Sequence, residues 1–355
     1  MRLLICAPDI FEGDAVGNHC LGIARVARRL GIEAKLYAER HNFASESIHA
    51  LSEVFSDAQP DDLLLLSYSI FDPCLDEIRN LNCRKIAYFH GVTDPQLLEA
   101  FEPRTAQLCR DAIAQLPALV GFDLLVANSR FSAEILESAT SCARIEAIPP
   151  IFADMPAFAR HSASDVSSIE SPELLMVGRV VPHKRIEDGI DILHSLRKLG
   201  VQATLSVVGS MPNYEYSKYL INHARRLGVL DHVDFKGMLD DCDLLDCFER
   251  AAVLLATSRH EGFCVPVLEA MHHGKPVLVR AGTAADELCP AGSILPPDAP
   301  ADAWATEIEQ KVRATAEQAE RSRNIYLNRA EEILLKASDE VWRNLFTQVV
   351  AKPKK

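Results

Sequence analysis

Residues 259–271 have the sequence Arg259-His260-Glu261-Gly262-Phe263-Cys264-Val265-Pro266-Val267-Leu268-Glu269-Ala270-Met271. The apolar run at 252–257 before them has the length of a β-strand. Pro266 suits the first turn of a helix, where its missing N–H group has no helical partner to lose. Gly274 and Pro276 are typical of the end of that helix. The segment therefore predicts strand, loop and helix, with Glu261 in the loop and Glu269 about one turn into the helix.

The chemistry of this segment follows from its geometry. Free N–H groups at the start of a helix form an anion site. The two carboxylates nearby can accept hydrogen bonds from hydroxyl groups. A ligand that carries both phosphate and many hydroxyls, such as a nucleotide sugar, fits that mixture.

A second segment places cations at the end of another strand. It has the sequence Leu175-Met176-Val177-Gly178-Arg179-Val180-Val181-Pro182-His183-Lys184-Arg185-Ile186. Gly178 permits a turn, and Arg179 and Lys184 follow before the next helix. Arg179 can bind two oxygens at once, whereas Lys184 acts as a point charge. Both would reach a diphosphate, with hydrogen bonds to charged groups contributing roughly 1.5–3 kcal/mol each. Taken alone, this segment is better explained by two ordinary solvated loop cations; beside the Glu261 segment, a diphosphate site is the better explanation.

Short apolar strands alternate with amphipathic helices along the whole chain, which favours an α/β fold with two doubly wound, Rossmann-like domains facing a central cleft. We predict a first domain at 1–152, a polar linker at 153–172, a second domain at 173–325 and a helical tail at 326–355 that packs back on the first domain. The predicted strands are Leu3–Ala7, Glu33–Tyr37, Leu63–Tyr68, Lys85–Phe89, Leu124–Ala127, Glu173–Val177, Thr204–Val208, Val233–Lys236, Val253–Ala256 and Pro276–Val279.

Composition limits the classes of function. The net charge of -13 disfavours nucleic acid as the main partner. No apolar run reaches membrane-spanning length, and the N-terminus lacks the features of a signal peptide. The ten cysteines contain no Cys-x-x-Cys pair, which favours reduced thiols in the cytosol over a zinc ribbon or a disulfide scaffold. Arg25, Arg28 and Arg29 share one short helix, and a solvated helix face explains them better than an anionic lipid surface does.

Together, Val177-Gly178-Arg179 with Lys184 and Glu261-Gly262-Phe263 with Glu269-Ala270-Met271 resemble the retaining glycosyltransferases of family 4, also called glycosyltransferase group 1. The similarity is strong over 173–282 and weaker before 150. The resemblance implies the two-domain GT-B fold, with the second domain binding the donor and the first domain on the acceptor side. It implies transfer of a hexose from a nucleotide-diphosphate sugar to a glycan or a lipid-linked saccharide.

The resemblance also assigns roles in the second domain. Arg179 and Lys184 would bind the donor diphosphate and stabilise the leaving group, Glu261 would bind hydroxyls of the transferred sugar, and Glu269 would accept from the ribose. The segment with Gly237 and Met238 matches the place where the family holds the nucleobase. Backbone groups facing the sugar or phosphate would come from the helix start at Gly262, Phe263, Cys264 and Val265. Cys264 stands where the family often has glycine.

In the first domain, His90 follows the apolar run Ala87-Tyr88-Phe89, and the family has a histidine near the transferred sugar at a comparable place. A core or capping histidine is the alternative. The loop with Gly13 and Gly17 lies between the first strand and the first helix, which suits a phosphate-facing or acceptor-facing loop. The family usually has paired glycines there.

The resulting hypothesis is a cytoplasmic glycosyltransferase that needs neither cofactor nor metal, with a peripheral position at the inner face of the plasma membrane as a further option. Its stretches at 13–18, 102–110 and 182–188 are similar to bacterial enzymes of O-antigen or capsular polysaccharide synthesis, several of which are mannosyltransferases. GDP-mannose and UDP-sugars both stay open as donors, as does the oligomeric state. The alternatives are a phosphorylase or nucleotide-sugar epimerase of the same fold, and a non-catalytic sugar-nucleotide-binding subunit.

Overall fold

The protein is represented by a computed structural model that describes residues 1–43, 46–151, 158 and 171–351. The chain divides into two compact units. The first contains the described residues of 1–95, 105–154 and 333–355, and the second contains those of 96–104 and 155–332. The predicted linker at 153–172 lies outside the described residues except for Phe158, Ser171 and Pro172.

The first unit is built on a seven-stranded sheet in which the paired strands run parallel. The strand order is β3-β2-β1-β4-β5-β6-β7, so the chain reverses its direction of travel across the sheet between β1 and β4. In open α/β sheets, ligands bind at the carboxyl ends of the strands beside such a switch point. The strands are β1 Arg2–Ile10, β2 Glu33–His41, β3 Ile48–Ala50, β4 Leu63–Tyr68, β5 Arg84–Phe89, β6 Leu124–Ala127 and β7 Glu146–Ala147.

Helices connect these parallel strands, as the crossover connections of such a sheet require. They are α1 Ala15–Arg29, α2 Val54–Asp57, α3 Leu75–Arg79, α4 Pro103–Gln115 and α5 Arg130–Thr140. Ser129 begins α5 as its N-cap, with its side chain accepting from the backbone N–H of Ser132 at 3.0 Å. That bond supplies one of the partners that the first turn of a helix lacks.

The second unit repeats the plan with a six-stranded parallel sheet in the order β10-β9-β8-β11-β12-β13. Its switch point lies between β8 and β11, the strands that precede the two predicted site segments. The strands are β8 Glu173–Val177, β9 Thr204–Val208, β10 Val233–Gly237, β11 Ala251–Ala256, β12 Val277–Arg280 and β13 Ile294–Leu295. The chain therefore has two Rossmann-like domains, and the prediction of two doubly wound domains is confirmed.

Eight helices follow along the rest of the described chain: α6 Ile186–Lys198, α7 Tyr214–Arg226, α8 Asp241–Arg250, α9 Val265–His272, α10 Ala285–Leu288, α11 Ala301–Val312, α12 Ala316–Leu335 and α13 Asp339–Ala351. Helix α13 belongs to the first unit. There its Trp342, Leu345, Phe346 and Val349 join the apolar core that β1, β2 and α1 form.

Each unit has its own buried core. In the second unit, α6 and α7 pack on one face of β8 and β9, and Trp304 of α11 joins the same cluster. No helix in the described part of the chain combines the length and apolar character that crossing a bilayer requires. The arginines at the end of α1 are engaged in ion pairs, Arg28 with Glu46 at 3.1 Å and Arg29 with Asp339 at 2.7 Å.

Candidate active site

The loop after β8 is shaped by a glycine contact. Gly178 has φ +136°, a conformation that side chains with a Cβ rarely adopt. Its backbone N–H donates to the carbonyl of Val208 at 2.9 Å, and its own carbonyl lies against Gly209, where an added Cβ would approach to 2.1 Å. The close approach of the two strand ends therefore requires glycine at 209, and the backbone conformation favours glycine at 178.

Lys184 ends a short 3-10 turn formed by Pro182–Lys184. The next residue, Arg185, has φ +54°, a left-handed conformation that is uncommon for a residue with a side chain. The buried hydroxyl of Thr257 donates to the carbonyls of Lys184 at 3.0 Å and of Arg185 at 2.9 Å. Thr257 directly follows β11, so this strand end holds the backbone of the lysine loop in place.

Lys184 and Glu261 meet as predicted from their strand ends. The Lys184 Nζ donates to Glu261 Oε1 at 2.7 Å, with 20% of the lysine side chain and 9% of the glutamate side chain exposed. Burial acts to lower the pKa of Lys184, but the Glu261 carboxylate outweighs it and the pKa is raised. The lysine therefore stays a cation in a place with little water, where an anionic ligand would experience its charge strongly.

Arg179, Lys184, Glu261 and Cys264 line one pocket, which we call the Lys184 pocket. Residues 254–258, at and just after the end of β11, also line it, and its volume is about 20 Å³, room for roughly one water molecule. The cation segment and the first half of the carboxylate segment thus converge on one place in the second unit.

Cys264 precedes α9 as its N-cap and has φ +78°. A glycine would adopt this conformation without strain, so the backbone retains the shape that glycine permits although the side chain differs. Burial raises the pKa of the Cys264 thiol well above its ordinary value, and the neighbouring Glu261 adds to that rise. The group is therefore a neutral thiol, which argues against a nucleophilic cysteine.

Glu269 lies on α9 as predicted, but it is not among the residues that line the Lys184 pocket. Its side chain is buried, with 5% exposed. Burial, with a smaller contribution from Asp241, raises the pKa of Glu269 to about 7. A carboxyl that titrates near neutral pH is often found at a functional site, because neutral and charged forms then exchange under working conditions.

The other predicted residues are not among those that line the Lys184 pocket. Gly262, Phe263 and Val265 are in the loop and first turn beside Glu261. Gly237 ends β10 with φ +69°, and the Met238 side chain after it is 67% exposed. His90, Gly13 and Gly17 belong to the first unit.

In the first unit, His90 follows β5 and is buried. Its Nε2 hydrogen-bonds to the Ser67 hydroxyl at 2.8 Å, and its carbonyl accepts from the Asn128 amide at 3.1 Å. Burial lowers the pKa of His90 to about 3, so the imidazole is neutral at ordinary pH. Gly17 lies in α1, where an added Cβ would be 2.2 Å from the carbonyl oxygen of Phe11, so the loop around Gly13 closes tightly on the helix start.

A buried charge network below the lysine loop was not predicted. Arg280 at the end of β12 is 4% exposed and donates to the Thr257 carbonyl at 2.8 Å, the Pro297 carbonyl at 2.6 Å and Asp188 at 2.5 Å. Asp188 also pairs with Arg185 at 2.7 Å. The sequence did contain one signal for it: Arg280 directly follows the apolar run Val277-Leu278-Val279. An arginine at the end of a buried strand is rarely buried without partners, so this position predicts a charge network.

Within the residues that the structure describes, no group of histidine, cysteine or carboxylate side chains has the arrangement of a metal site. Asp240, which precedes α8, accepts from the backbone N–H of Asp243 at 2.9 Å. It therefore acts as a helix cap, as its place before a helix indicates.

The part of the chain that contains this site is similar to a known protein family. Residues 160–327 match the family model "Glycosyl transferases group 1". Two curated relatives are similar over shorter stretches. The glycogen synthase of Mycobacterium tuberculosis is 35% identical over 106 residues, which are 30% of this chain and 25% of that protein. The mannosylfructose-phosphate synthase of Agrobacterium fabrum is 27% identical over 169 residues, 44% of this chain and 37% of that protein.

The fold extends over the full chain of a solved structure. The crystal structure of Anabaena Alr3699/HepE in complex with UDP and glucose has a TM-score of 0.78 at 17% identity, covering 98% of this chain and 100% of that one. The curated matches cover only 25% and 37% of those relatives' own lengths, whereas the structural match includes both units. Residues 160–327 are therefore similar to the glycosyl transferases group 1 domain, within a chain that has the two-domain GT-B fold.

Proposed function

We propose that this protein is a retaining glycosyltransferase that moves a hexose from a nucleotide-diphosphate sugar to a saccharide acceptor. The observation that carries the proposal is the Lys184–Glu261 ion pair, whose atoms lie 2.7 Å apart. Both residues belong to the stretch that matches the family model, and Arg179 lines the same pocket. The Lys184 pocket thus contains a cation that can bind a diphosphate beside a carboxylate that can bind sugar hydroxyls. A nucleotide sugar carries both of these groups.

The chemical step would rest on charge stabilisation and positioning. Breaking the bond between sugar and phosphate leaves negative charge on the diphosphate, and Arg179, Lys184 and the N-terminus of α9 stabilise that charge. The donor diphosphate would take over the Lys184 ammonium from Glu261, which frees the carboxylate to accept from the sugar. Attack from the same face, with the departing phosphate accepting the acceptor's proton, retains the configuration. No residue in this scheme acts as a nucleophile and no metal ion is needed.

Glu269 would bind the ribose hydroxyls as an ionised carboxylate, and His90 would act as a neutral hydrogen-bonding group beside the transferred sugar. Gly237 and Met238 would hold the base, mainly through backbone atoms. The backbone of Gly262, Phe263, Cys264 and Val265 would face the sugar or phosphate. The loop at Gly13 and Gly17 would face the acceptor.

The donor is a UDP-sugar or GDP-mannose. The UDP and glucose in the Anabaena structure support a UDP-hexose, and the name of the Agrobacterium relative supports a mannosyl donor. We place the reaction in bacterial surface polysaccharide synthesis, inside the cell, with a glycan or lipid-linked acceptor. This assignment to a pathway rests on the similarity of the stretches at 13–18, 102–110 and 182–188 to such enzymes.

The test is a calorimetric screen of the GDP, UDP, ADP, CDP and TDP sugars, followed by transfer assays with the donor that binds. Lys184→Ala should reduce transfer at least tenfold, since loss of one such charge contact removes on the order of 3 kcal/mol from transition-state stabilisation. Lys198→Ala, at an exposed lysine near the end of α6, is the matched control and should leave the rate unchanged.

Near-normal turnover by purified Lys184→Ala would refute the role of this lysine. Cleavage that depends on inorganic phosphate would indicate a phosphorylase instead. Sugar isomerisation without an acceptor would indicate an epimerase. Tight donor binding without turnover for any acceptor would indicate a binding subunit.

A further inference from the structure

Hydrogen bonds from one short segment after β11 hold the backbone of the lysine loop. The Thr257 hydroxyl donates to the carbonyls of Lys184 at 3.0 Å and of Arg185 at 2.9 Å. The backbone N–H of Arg259 donates to the carbonyl of His183 at 2.8 Å. Three consecutive carbonyls of the loop therefore accept from this segment, so the place of the Lys184 side chain depends on where the segment lies.

Arg280 in turn supports that segment. Its side chain is 4% exposed, and its guanidinium donates to the carbonyls of Thr257 at 2.8 Å and of Pro297 at 2.6 Å and to the carboxylate of Asp188 at 2.5 Å. The ring of Trp304 lies beside it, with its centre 5.6 Å from the guanidinium carbon. A guanidinium is planar and its donors point in fixed directions, so these partners leave it little freedom. The end of β12 thus provides a rigid support under Thr257.

Asp188 connects the same guanidinium to the lysine loop by a second route. One carboxylate oxygen pairs with Arg280 at 2.5 Å and the other pairs with Arg185 at 2.7 Å. Arg185 has φ +54°, a conformation in which glycine is favoured. Its side chain forms ion pairs with Asp188 and, at 2.7 Å, with Glu187, which a glycine could not form. Both routes from Arg280 therefore end in the lysine loop.

Arg280 is not among the residues that line the Lys184 pocket, so its effect on a ligand there would be indirect. A displacement of about 1 Å at a group that contacts the reacting atoms can cost on the order of a hundredfold in rate, even when its cause is remote. We propose that Arg280 is a positioning residue for Lys184. It acts through the Thr257 hydroxyl and through the Asp188–Arg185 pair. This inference rests on the proposed function, because it requires that Lys184 acts in transfer.

The first test is a mutant cycle on transfer by the full chain. Arg280→Met should reduce kcat at least fivefold, and by no more than Lys184→Ala does. In the Lys184→Ala background the same change should cause no further loss, because the side chain that it positions is already gone. A role of Arg280 in the fold alone would instead lower the rate by the same factor in both backgrounds.

The second test measures the position of the ammonium and needs no donor. Lys184 is 20% exposed and paired, so it should react slowly with acetic anhydride. In Arg280→Met its acetylation, followed by mass spectrometry, should be at least threefold faster relative to the exposed Lys336. The matched control is Arg197→Met, because Arg197 donates to the carbonyl of Ala203 at 2.7 Å, at the other end of α6. This control should leave both the rate of transfer and the acetylation of Lys184 unchanged.

A further pair of variants applies if the loss of a buried arginine prevents folding, which circular dichroism checks. Thr257→Val removes the donating hydroxyl and keeps the shape of the side chain, so it should lower kcat and speed acetylation in the same direction. Thr257→Ser restores a hydroxyl and should recover most of both effects.

The outcomes separate this inference from the proposed function. Near-normal turnover by Lys184→Ala would overturn the role of the lysine in transfer, and the positioning role with it. If Lys184→Ala is impaired, the positioning role alone is overturned by any of three results. These are normal turnover by Arg280→Met and Thr257→Val, equal losses in both backgrounds, and unchanged acetylation of Lys184.

Discussion

In the second unit, the loops after β8 and β11 bring an ammonium and a carboxylate within 2.7 Å of each other in a half-buried pocket. In the first unit, the end of β4 and the loop after β5 hold Ser67 and His90, whose side chains are buried, neutral and hydrogen-bonded to each other. Both units present the carboxyl ends of parallel strands, the edge where ligands bind in such sheets. The same fold thus places an ionic pair at the ends of β8 and β11 in one unit and a neutral hydrogen-bonded pair at the ends of β4 and β5 in the other.

The difference agrees with two tasks. A charged edge stabilises the diphosphate of a donor, whose charge rises as the bond breaks. A neutral pair such as Ser67 and His90 offers hydrogen bonds and does not compete for that charge. The proposed assignment of donor to the second unit and acceptor to the first follows this division, and the predictions below test each side of it.

The largest expected effect comes from the Lys184–Glu261 pair. Lys184→Met and Glu261→Leu should each reduce the free energy of unfolding by about 3 kcal/mol, because each leaves its partner's charge unpaired in a site with little water. The double variant should lose at least 1 kcal/mol less than the sum of the two single variants. Chemical denaturation followed by circular dichroism measures all four proteins.

An exposed pair in the first unit provides the control for this cycle. Arg29 and Asp339 lie 2.7 Å apart, with 40% and 39% of their side chains exposed. Exposed pairs couple by about 0.2–1 kcal/mol. If the coupling energy between Lys184 and Glu261 is no larger than that between Arg29 and Asp339, the Lys184–Glu261 pair behaves as an ordinary exposed ion pair.

Glu269 should make donor binding depend on pH. Its pKa is raised to about 7, so the neutral form stabilises the fold below the ordinary pKa of 4.5, and that stabilisation is lost as pH rises towards 7. Ribose hydroxyls donate to the ionised form, so donor affinity should rise about tenfold from pH 6 to pH 8, as the ionised fraction does. Calorimetry in buffers of different ionisation enthalpy should also detect proton release on binding.

Glu269→Gln is the variant that checks this assignment. It should bind the donor with little dependence on pH across the same interval, and its stability should not fall between pH 4.5 and 7 as that of the parent does. A Glu269→Gln protein with the full pH dependence would show that another group titrates on donor binding.

The sequence was sufficient to predict most of the sheet framework. All ten predicted strands are present, because buried parallel strands leave continuous apolar runs such as Leu63–Tyr68. Three strands were missed: Ile48–Ala50, Glu146–Ala147 and Ile294–Leu295. Each is only two or three residues long and lies at the edge of its sheet, so pairing with a neighbour defines it and local pattern does not. The tail boundary was also approximate, since α12 begins at Ala316.

The site was predictable where a motif follows a strand. Lys184 and Glu261 could be paired from sequence because both lie in loops at neighbouring carboxyl ends, β8 beside β11. Thr257 and Arg280 could not, because their roles arise from contacts between loops distant in sequence, including the Thr257 hydroxyl and the carbonyl of Lys184. The burial of Glu269 and its raised pKa were likewise invisible, since they depend on what packs around α9.

The smallest expected effect tests the neutrality of the Ser67–His90 pair. Because the pKa of His90 is lowered to about 3, the unfolded chain takes up a proton first as pH falls below 6.5, and the fold loses stability. His90→Gln keeps a hydrogen-bonding group without a titrating ring, so its loss of unfolding free energy from pH 7.5 to 6 should be smaller by about 1 kcal/mol. Ser67→Ala removes the hydrogen bond and keeps the imidazole, so it should retain the parent's pH dependence. If His90→Gln retains it too, His90 carries charge in the folded state and the Ser67–His90 pair is not neutral.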